Sequence, residues 1–279
     1  MNGAALRLRP PTTSQHGRGR AARPGAPSGR PGAHITVLGG FDLRVGQVPV
    51  AVPTGSQRVL AFVALCCQAA VPRALVAGTL WPEAPEHCAH ANFRSALARL
   101  HSEGRRALEI GPAEVRLAGG TSVDLHHARR IAHRILDPDT AAGDPERDLA
   151  AVDALSVDLL PGWYDDWAQL EAEDWRQLRL HALERLAEQL IGARRYAAAV
   201  AAARAAVHAD PLRESAQSCL IQAHLAERNP SEALDAFARY GRRLRAELGL
   251  DPTPDLRQLV TGLSPGGARC PGHAPATRR

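Results

Sequence analysis

A chain of 279 residues is long enough for two domains whose cores need neither disulfide nor metal to hold them. Its 45% hydrophobic and 23% charged content is that of a globular protein, and a formal charge of +5 with a pI near 9.3 directs attention to nucleic acid. All 34 basic residues are arginine, so Schiff-base and P-loop lysine chemistry are excluded.

The first 33 residues carry six arginines and no acid. They are rich in Arg, Gly and Pro and lack the apolar stretch of a secretory signal, so they read as a disordered tail. Short strands follow: Ile35–Leu38, Phe41–Val45 and, after a Gly46-Gln47 turn, Val48–Val52, with Pro49 placing the last at a sheet edge. Thr54 and Gln57 have capping-box spacing at the start of a helix expected over residues 55–69, apolar nearly all round and therefore buried. Its run from Val59 to Cys67 is the longest strictly apolar one, nine residues where a bilayer needs roughly 20. No membrane partner is expected.

Pro72 opens a second helix with Leu75, Val76, Leu80 and Trp81 on one face, and Pro82 stops it. A third helix, residues 87–102, turns Phe93, Ala96, Leu97 and Leu100 inward at helical spacing. Two strands close the unit, Ala107–Ile110 and Val115–Leu117, around a Gly111-Pro112 turn. Strands, three helices and a terminal hairpin are the parts of a winged helix-turn-helix. The outward face of the third helix carries Cys88, Ala91, Ser95, Ala98, Arg99 and Ser102, flanked by Asn92 and Arg94. This small, polar, arginine-edged face suits a major groove roughly 12 Å wide, where Asn pairs with adenine, Arg with guanine and Ala with the thymine methyl. Ala91, Asn92, Arg94, Ser95 and Arg99 are the candidate base-reading residues. His87, Cys88 and His90 cluster at its start, but their directions diverge and no fourth ligand is suitably spaced, so no metal is expected. No nucleophile elbow or phosphate loop is found, and neither catalysis nor a cofactor is expected.

From Asp124 the chain turns helical and the charge reverses: residues 131–263 hold fifteen arginines against twenty-two acids. Residues 126–136 form an amphipathic helix, and residues 137–147 read as a loop. The cluster Trp163-Tyr164-Asp165-Asp166-Trp167 leads into a long helix ending at Ile191, with Trp163, Trp167 and Trp175 expected in the core. A repeat follows at an offset of 34: Leu186 with Leu220, Ile191 with Leu225, Arg194 with Arg228, Ala199 with Ala233, Val200 with Leu234. That period of paired helices is the tetratricopeptide signature. Asp210-Pro211 and Asn229-Pro230 are read as helix starts, and Ala197, Ala199, Ala233 and Ala236 as close-packing positions. Gly249 ends a helix and Thr253-Pro254 opens another. Stacked helix pairs of this kind leave a concave groove, usually for a protein. Residues 264–279 are read as a second disordered tail. The five cysteines (Cys66, Cys67, Cys88, Cys219, Cys270) show no CxxC spacing and read as buried, reduced thiols of a cytoplasmic protein.

Leu159-Leu160-Pro161-Gly162-Trp163-Tyr164-Asp165-Asp166-Trp167, Asp210-Pro211-Leu212-Arg213-Glu214-Ser215-Ala216, Arg228-Asn229-Pro230-Ser231-Glu232-Ala233-Leu234 and Glu247-Leu248-Gly249-Leu250-Asp251-Pro252 resemble the SARP family (antibiotic regulatory proteins) of actinobacterial transcriptional activators. In the first half Gln57-Arg58, Leu80-Trp81 and residues 95–100 carry the resemblance. It implies a mainly α architecture: a winged helix-turn-helix (α+β) over residues 34–125, then an all-α, tetratricopeptide-like bacterial transcriptional activator domain over residues 126–263. It further implies phosphate contacts from Gln57 and Arg58, base reading by the third helix with Arg99 foremost, and binding as two protomers to promoter repeats of double-stranded DNA. RNA polymerase is the expected protein partner, and Arg116 on the closing hairpin is added as a phosphate contact. The chain departs from the family pattern at Ser56, His101 and Glu114, each a lost basic or aromatic contact. An adaptor with weakened DNA binding is the alternative.

Overall fold

The strand pattern and the helical periods lead to the architecture seen in the computed structural model, which describes residues 32–66, 69–138 and 145–263. The readings made on residues 1–31, 139–144 and 264–279, and on Cys67 and Cys270, lie outside the described residues. Contacts divide the chain into two units, Met1–His126 and His127–Arg279.

In the first unit β1 (Ala33–Thr36) pairs antiparallel with β2 (Asp42–Val45), setting Ile35 opposite Leu43, both buried. Ala33, read as part of the tail, begins this strand. Val48–Pro49 (β3) lies at the sheet edge, where the missing proline N–H costs no ladder bond. α1 (Thr54–Leu65) is buried from Val59 onward. Its cap differs from the expectation. Pro53 is the N-cap and its carbonyl accepts from the Ser56 and Gln57 N–H groups, while the Gln57 side-chain amide donates to the Val52 carbonyl at 2.8 Å. Thr54 is thus inside the helix, and no capping box forms. The helix also stops at Leu65, because the Cys66 N–H turns back to Val63 and tightens the last turn.

β4 (Val71–Pro72) leads into α2 (Arg73–Leu80), and after Pro85 comes α3 (Glu86–Ala98). The expected third helix is therefore shorter: Arg99 is its C-cap, and Ser102 starts a separate turn, α4 (Ser102–Arg105). β5 (Leu108–Ile110) and β6 (Glu114–Leu117) form the hairpin, and β4 extends it to a sheet of order β4-β6-β5. β7 (Ser122–Val123) runs parallel to β1 and completes the first sheet. β4 and β7 are two residues each, too short to show a period. This is a winged helix-turn-helix.

α5 (Asp124–Leu136) follows. Its first residue, Asp124, accepts from the Val37 and Leu38 N–H groups just after β1, all within the first unit. In the second unit α6 (Pro145–Leu155) occupies part of the stretch read as loop, with Pro145 at the first helical position where a missing N–H is harmless. α7 (Asp166–Gly192), α8 (Tyr196–Ala209), α9 (Glu214–Ala226) and α10 (Pro230–Leu248) stack as two helix pairs, and α11 (Pro254–Val260) is capped by the Thr253 hydroxyl. Gly249 ends α10 in the left-handed region at φ 67°.

The repeat is exact at the turns. Arg194 and Arg228, 34 residues apart, adopt φ 59° and 68°. Around them the Arg195 N–H bonds the Leu190 carbonyl as the Asn229 N–H bonds that of His224. Ala199, Ala233 and Ala236 are buried where helices approach, whereas Ala197 faces solvent, one position off the contact. Asp210 does not open α9. It caps the end of α8 and its carboxylate accepts from Arg176 and the Leu212 N–H, which delays the next helix to Glu214. Among the tryptophans, Trp175 is core, but Trp163 and Trp167 are half-buried and pack edge to face on each other at 6.0 Å. Of the described cysteines only Cys219 is buried, and burial pushes its thiol up to about 12; Cys66 and Cys88 are partly exposed.

Candidate nucleic-acid interface

α3 is set by its apolar stripe. Ala89, Phe93, Ala96 and Leu97 are buried, which forces Ala91, Asn92, Arg94, Ser95, Ala98 and Arg99 to the outside. All five candidate base-reading residues are thus exposed on one helix and its cap. Arg94 and Arg99 make no ion pair among the described residues, so their guanidinium groups are available to a ligand. Arg99 keeps a helical backbone (φ −76°, ψ −12°) and continues the helix surface beyond Ala98.

The last turn of α3 is bonded by Ser56. This residue, at a position where a basic side chain was missed, is fully buried, and its hydroxyl donates to the Ala96 carbonyl at 2.7 Å. The Leu100 N–H, which would serve that carbonyl in a longer helix, bonds Leu97 instead. Ser56 therefore satisfies an orphan acceptor of the last turn. Ser56→Ala is expected to destabilise the first unit by about 1–3 kcal/mol, read as a lower denaturant midpoint.

The phosphate candidates have internal duties. The Arg58 guanidinium donates to the Leu80 carbonyl at 2.7 Å and lies 5.8 Å from the Trp81 ring centroid, closing the end of α2. Gln57 is held on the Val52 carbonyl. Arg116 sits directly across the hairpin from Glu109 and donates to its carboxylate at 2.6 Å. That hydrogen bond, with the Gly119 N–H, holds the Glu109 carboxyl below the usual carboxylate range. Glu114 is exposed at the start of β6, beside the turn.

Arg73 is the residue that sequence reasoning missed. At the start of α2 its N–H donates to the Ala113 carbonyl and its guanidinium to Gly111, 3.2 Å away. The same guanidinium lies 5.4 Å from the Phe93 ring centroid. One side chain thus ties the hairpin turn to the core face of α3. The only signal in the sequence was an arginine after Val71-Pro72, which no periodicity singles out. The described residues contain no cluster suited to a metal ion, and no described helix is long and apolar enough to cross a membrane.

Residues 123–263 match the family model of the bacterial transcriptional activator domain. The chain is 32% identical over 187 residues to the regulatory protein AfsR of Streptomyces coelicolor, a match covering 64% of this chain and 19% of the relative. It is 28% identical over 250 residues to AfsR of Streptomyces griseus, covering 85% and 25%. The matched region thus spans about a fifth to a quarter of the length of these relatives. Among solved structures, Mycobacterium tuberculosis EmbR in complex with a low-affinity phosphopeptide has the same fold, with a TM-score of 0.62 and 24% identity over 82% of this chain and 64% of that one.

Proposed function

Since the chain belongs to the bacterial transcriptional activator domain family, as a protein of the SARP type, we propose that it is a promoter-binding activator whose α3 enters the DNA major groove. The observation that carries this reading is the exposed α3 face with Asn92, and with Arg94 and Arg99 free of ion pairs among the described residues, next to the small residues Ala91 and Ser95 that let a helix approach base edges. The proposed target is a repeated site bound by two protomers, upstream of a biosynthetic gene cluster, and the helical-repeat unit is assigned the contact with RNA polymerase. That unit is acidic, so it does not compete for the duplex.

Gln57, Arg58 and Arg116 are proposed phosphate contacts; Gln57 and Arg58 also serve the Val52 and Leu80 carbonyls, and Arg116 also pairs with Glu109. A second reading, an adaptor with weakened DNA binding, is favoured by these same internal contacts and by the burial of Ser56. Selection of bound fragments from genomic DNA by the full chain separates the two. An activator enriches one repeated sequence, with log affinity falling against log salt at about −0.9 per phosphate contacted. An adaptor enriches none.

A further inference from the structure

The helical-repeat unit contains a feature at odds with its overall charge. Between α8, α9 and α10 lies a groove of about 380 Å³. α8 contributes Arg204 and His208 to it, α10 contributes Arg239 and Arg243, and α9 supplies Gln217 and Leu220. Three arginines are thus gathered in one place on a segment, residues 131–263, that carries seven more acids than arginines.

Two of the acids nearest in sequence are already engaged, and a third, Asp235, is exposed on α10 and forms no ion pair with Arg239. Glu247 binds Arg243 at 2.9 Å, and Glu214 accepts from Tyr240 and from the Thr253 N–H. Arg204 and Arg239 are exposed and form no ion pair among the described residues. Arg204 and Arg239, held near Arg243 without counter-ions of their own, cost stability through mutual repulsion. A ligand of opposite sign relieves that cost.

We propose that this groove binds an extended acidic segment of a partner protein, with carboxylates alternating along the strand. Two arguments select this ligand. Arg239 and Arg243 are spaced by four residues on α10, a rise of about 6 Å. Side chains on the same face of an extended chain recur every second residue, at about 6.6–6.8 Å. An acid at every second position therefore meets Arg239 and Arg243 along α10, and Arg204 on α8 faces the same groove. The second argument is range. A duplex is a polyanion and meets the acidic surface around the groove as well as the groove itself. A short peptide inserts its few charges within the ~8 Å over which local cations dominate at physiological salt. Leu220, together with Val207 and Ala236 from the same lining, gives the intervening side chains an apolar floor.

The inference rests on the second unit and is independent of DNA reading by α3. The test uses the full chain and a fluorescein-labelled peptide alternating Glu with Ser, followed by anisotropy. The Glu peptide is expected to bind with a steep salt dependence, and its Gln counterpart to bind at least about tenfold more weakly. Arg204→Glu with Arg239→Glu is expected to abolish Glu-peptide binding and to confer binding of the matching Lys peptide. Both positions are exposed on helices, and far-UV dichroism checks that the helices persist; Arg239→Gln alone, expected to weaken binding partially, serves if the double variant does not fold. The proposal is overturned if the Glu and Gln peptides bind alike, or if the folded variants bind the Glu peptide as the parent does. It is equally overturned if the double variant loses affinity for the selected duplex in parallel with the peptide, which would assign the groove to DNA. Sedimentation showing that the groove is filled by a second copy of this chain, displaced by neither peptide, also excludes it. Loss of duplex binding on changing Arg94 or Arg99 leaves peptide binding unaltered.

Discussion

Trp175→Ala is expected to destabilise the second unit by about 3–5 kcal/mol. The side chain is 1% exposed within α7, and its indole N–H donates to the Val157 carbonyl at 2.9 Å. Truncation therefore removes the largest fully buried side chain of the described residues and leaves a carbonyl in the preceding loop without its donor. That loop runs through Leu160, held at φ 43°, a conformation a non-glycine residue keeps only when its surroundings impose it. Loss of the anchor should release it. Guanidinium unfolding followed by far-UV dichroism checks this: the transition of the helical-repeat unit moves to lower denaturant and that of the winged unit stays. Trp175→Phe keeps most of the volume and loses the hydrogen bond, so it should recover most of the deficit. If both transitions shift together, the tryptophan does not act within its own unit.

Arg94→Ala and Arg99→Ala are each expected to weaken binding of the selected DNA site by about 1–3 kcal/mol, with relaxed preference at one base position. Both side chains are exposed, so the denaturation midpoint of the winged unit should hardly move. The pattern across sequences decides the role. A base-reading arginine loses discrimination at its own position and keeps affinity for non-specific duplex. A phosphate-binding arginine weakens every duplex alike and reduces the salt slope by about one. Arg99 follows the last helical residue, so its side chain is the more adaptable of the pair. Equal binding of all sequences by both variants and the parent would remove α3 from the interface.

Much of this architecture was legible because it obeys long periods. The stripe of Phe93, Ala96 and Leu97 fixed which side of α3 faces out, and the offset of 34 anticipated turns whose backbone bonds repeat. Helix ends were less legible, since they depend on which distant group serves the last carbonyls. The shortening of α3 to Ala98 belongs with the Ser56 hydroxyl, forty residues away in the chain. Thr54 and Asp210 had capping chemistry in the right place, but the Pro53 carbonyl and the Arg176 guanidinium took the bonds those caps would have made or received. The duties of Arg58, Arg73 and Arg116 were hidden for a related reason. An arginine reads in sequence as a charge, and only folding shows whether its donors face a carbonyl, a carboxylate or solvent.

The matching left-handed turns at Arg194 and Arg228 also bear on how such a chain can change in length. Each turn closes one hairpin of helices with the same backbone bonds, so the unit behaves as a stack of interchangeable bricks. Duplication or loss of one whole brick preserves every interface between neighbours. An insertion of any other length within the helices shifts the alanine contacts off their positions. Growth and shrinkage of this half of the molecule is therefore quantised in steps of one helix pair, while the winged half, whose sheets join its first strand to its last, admits no such step.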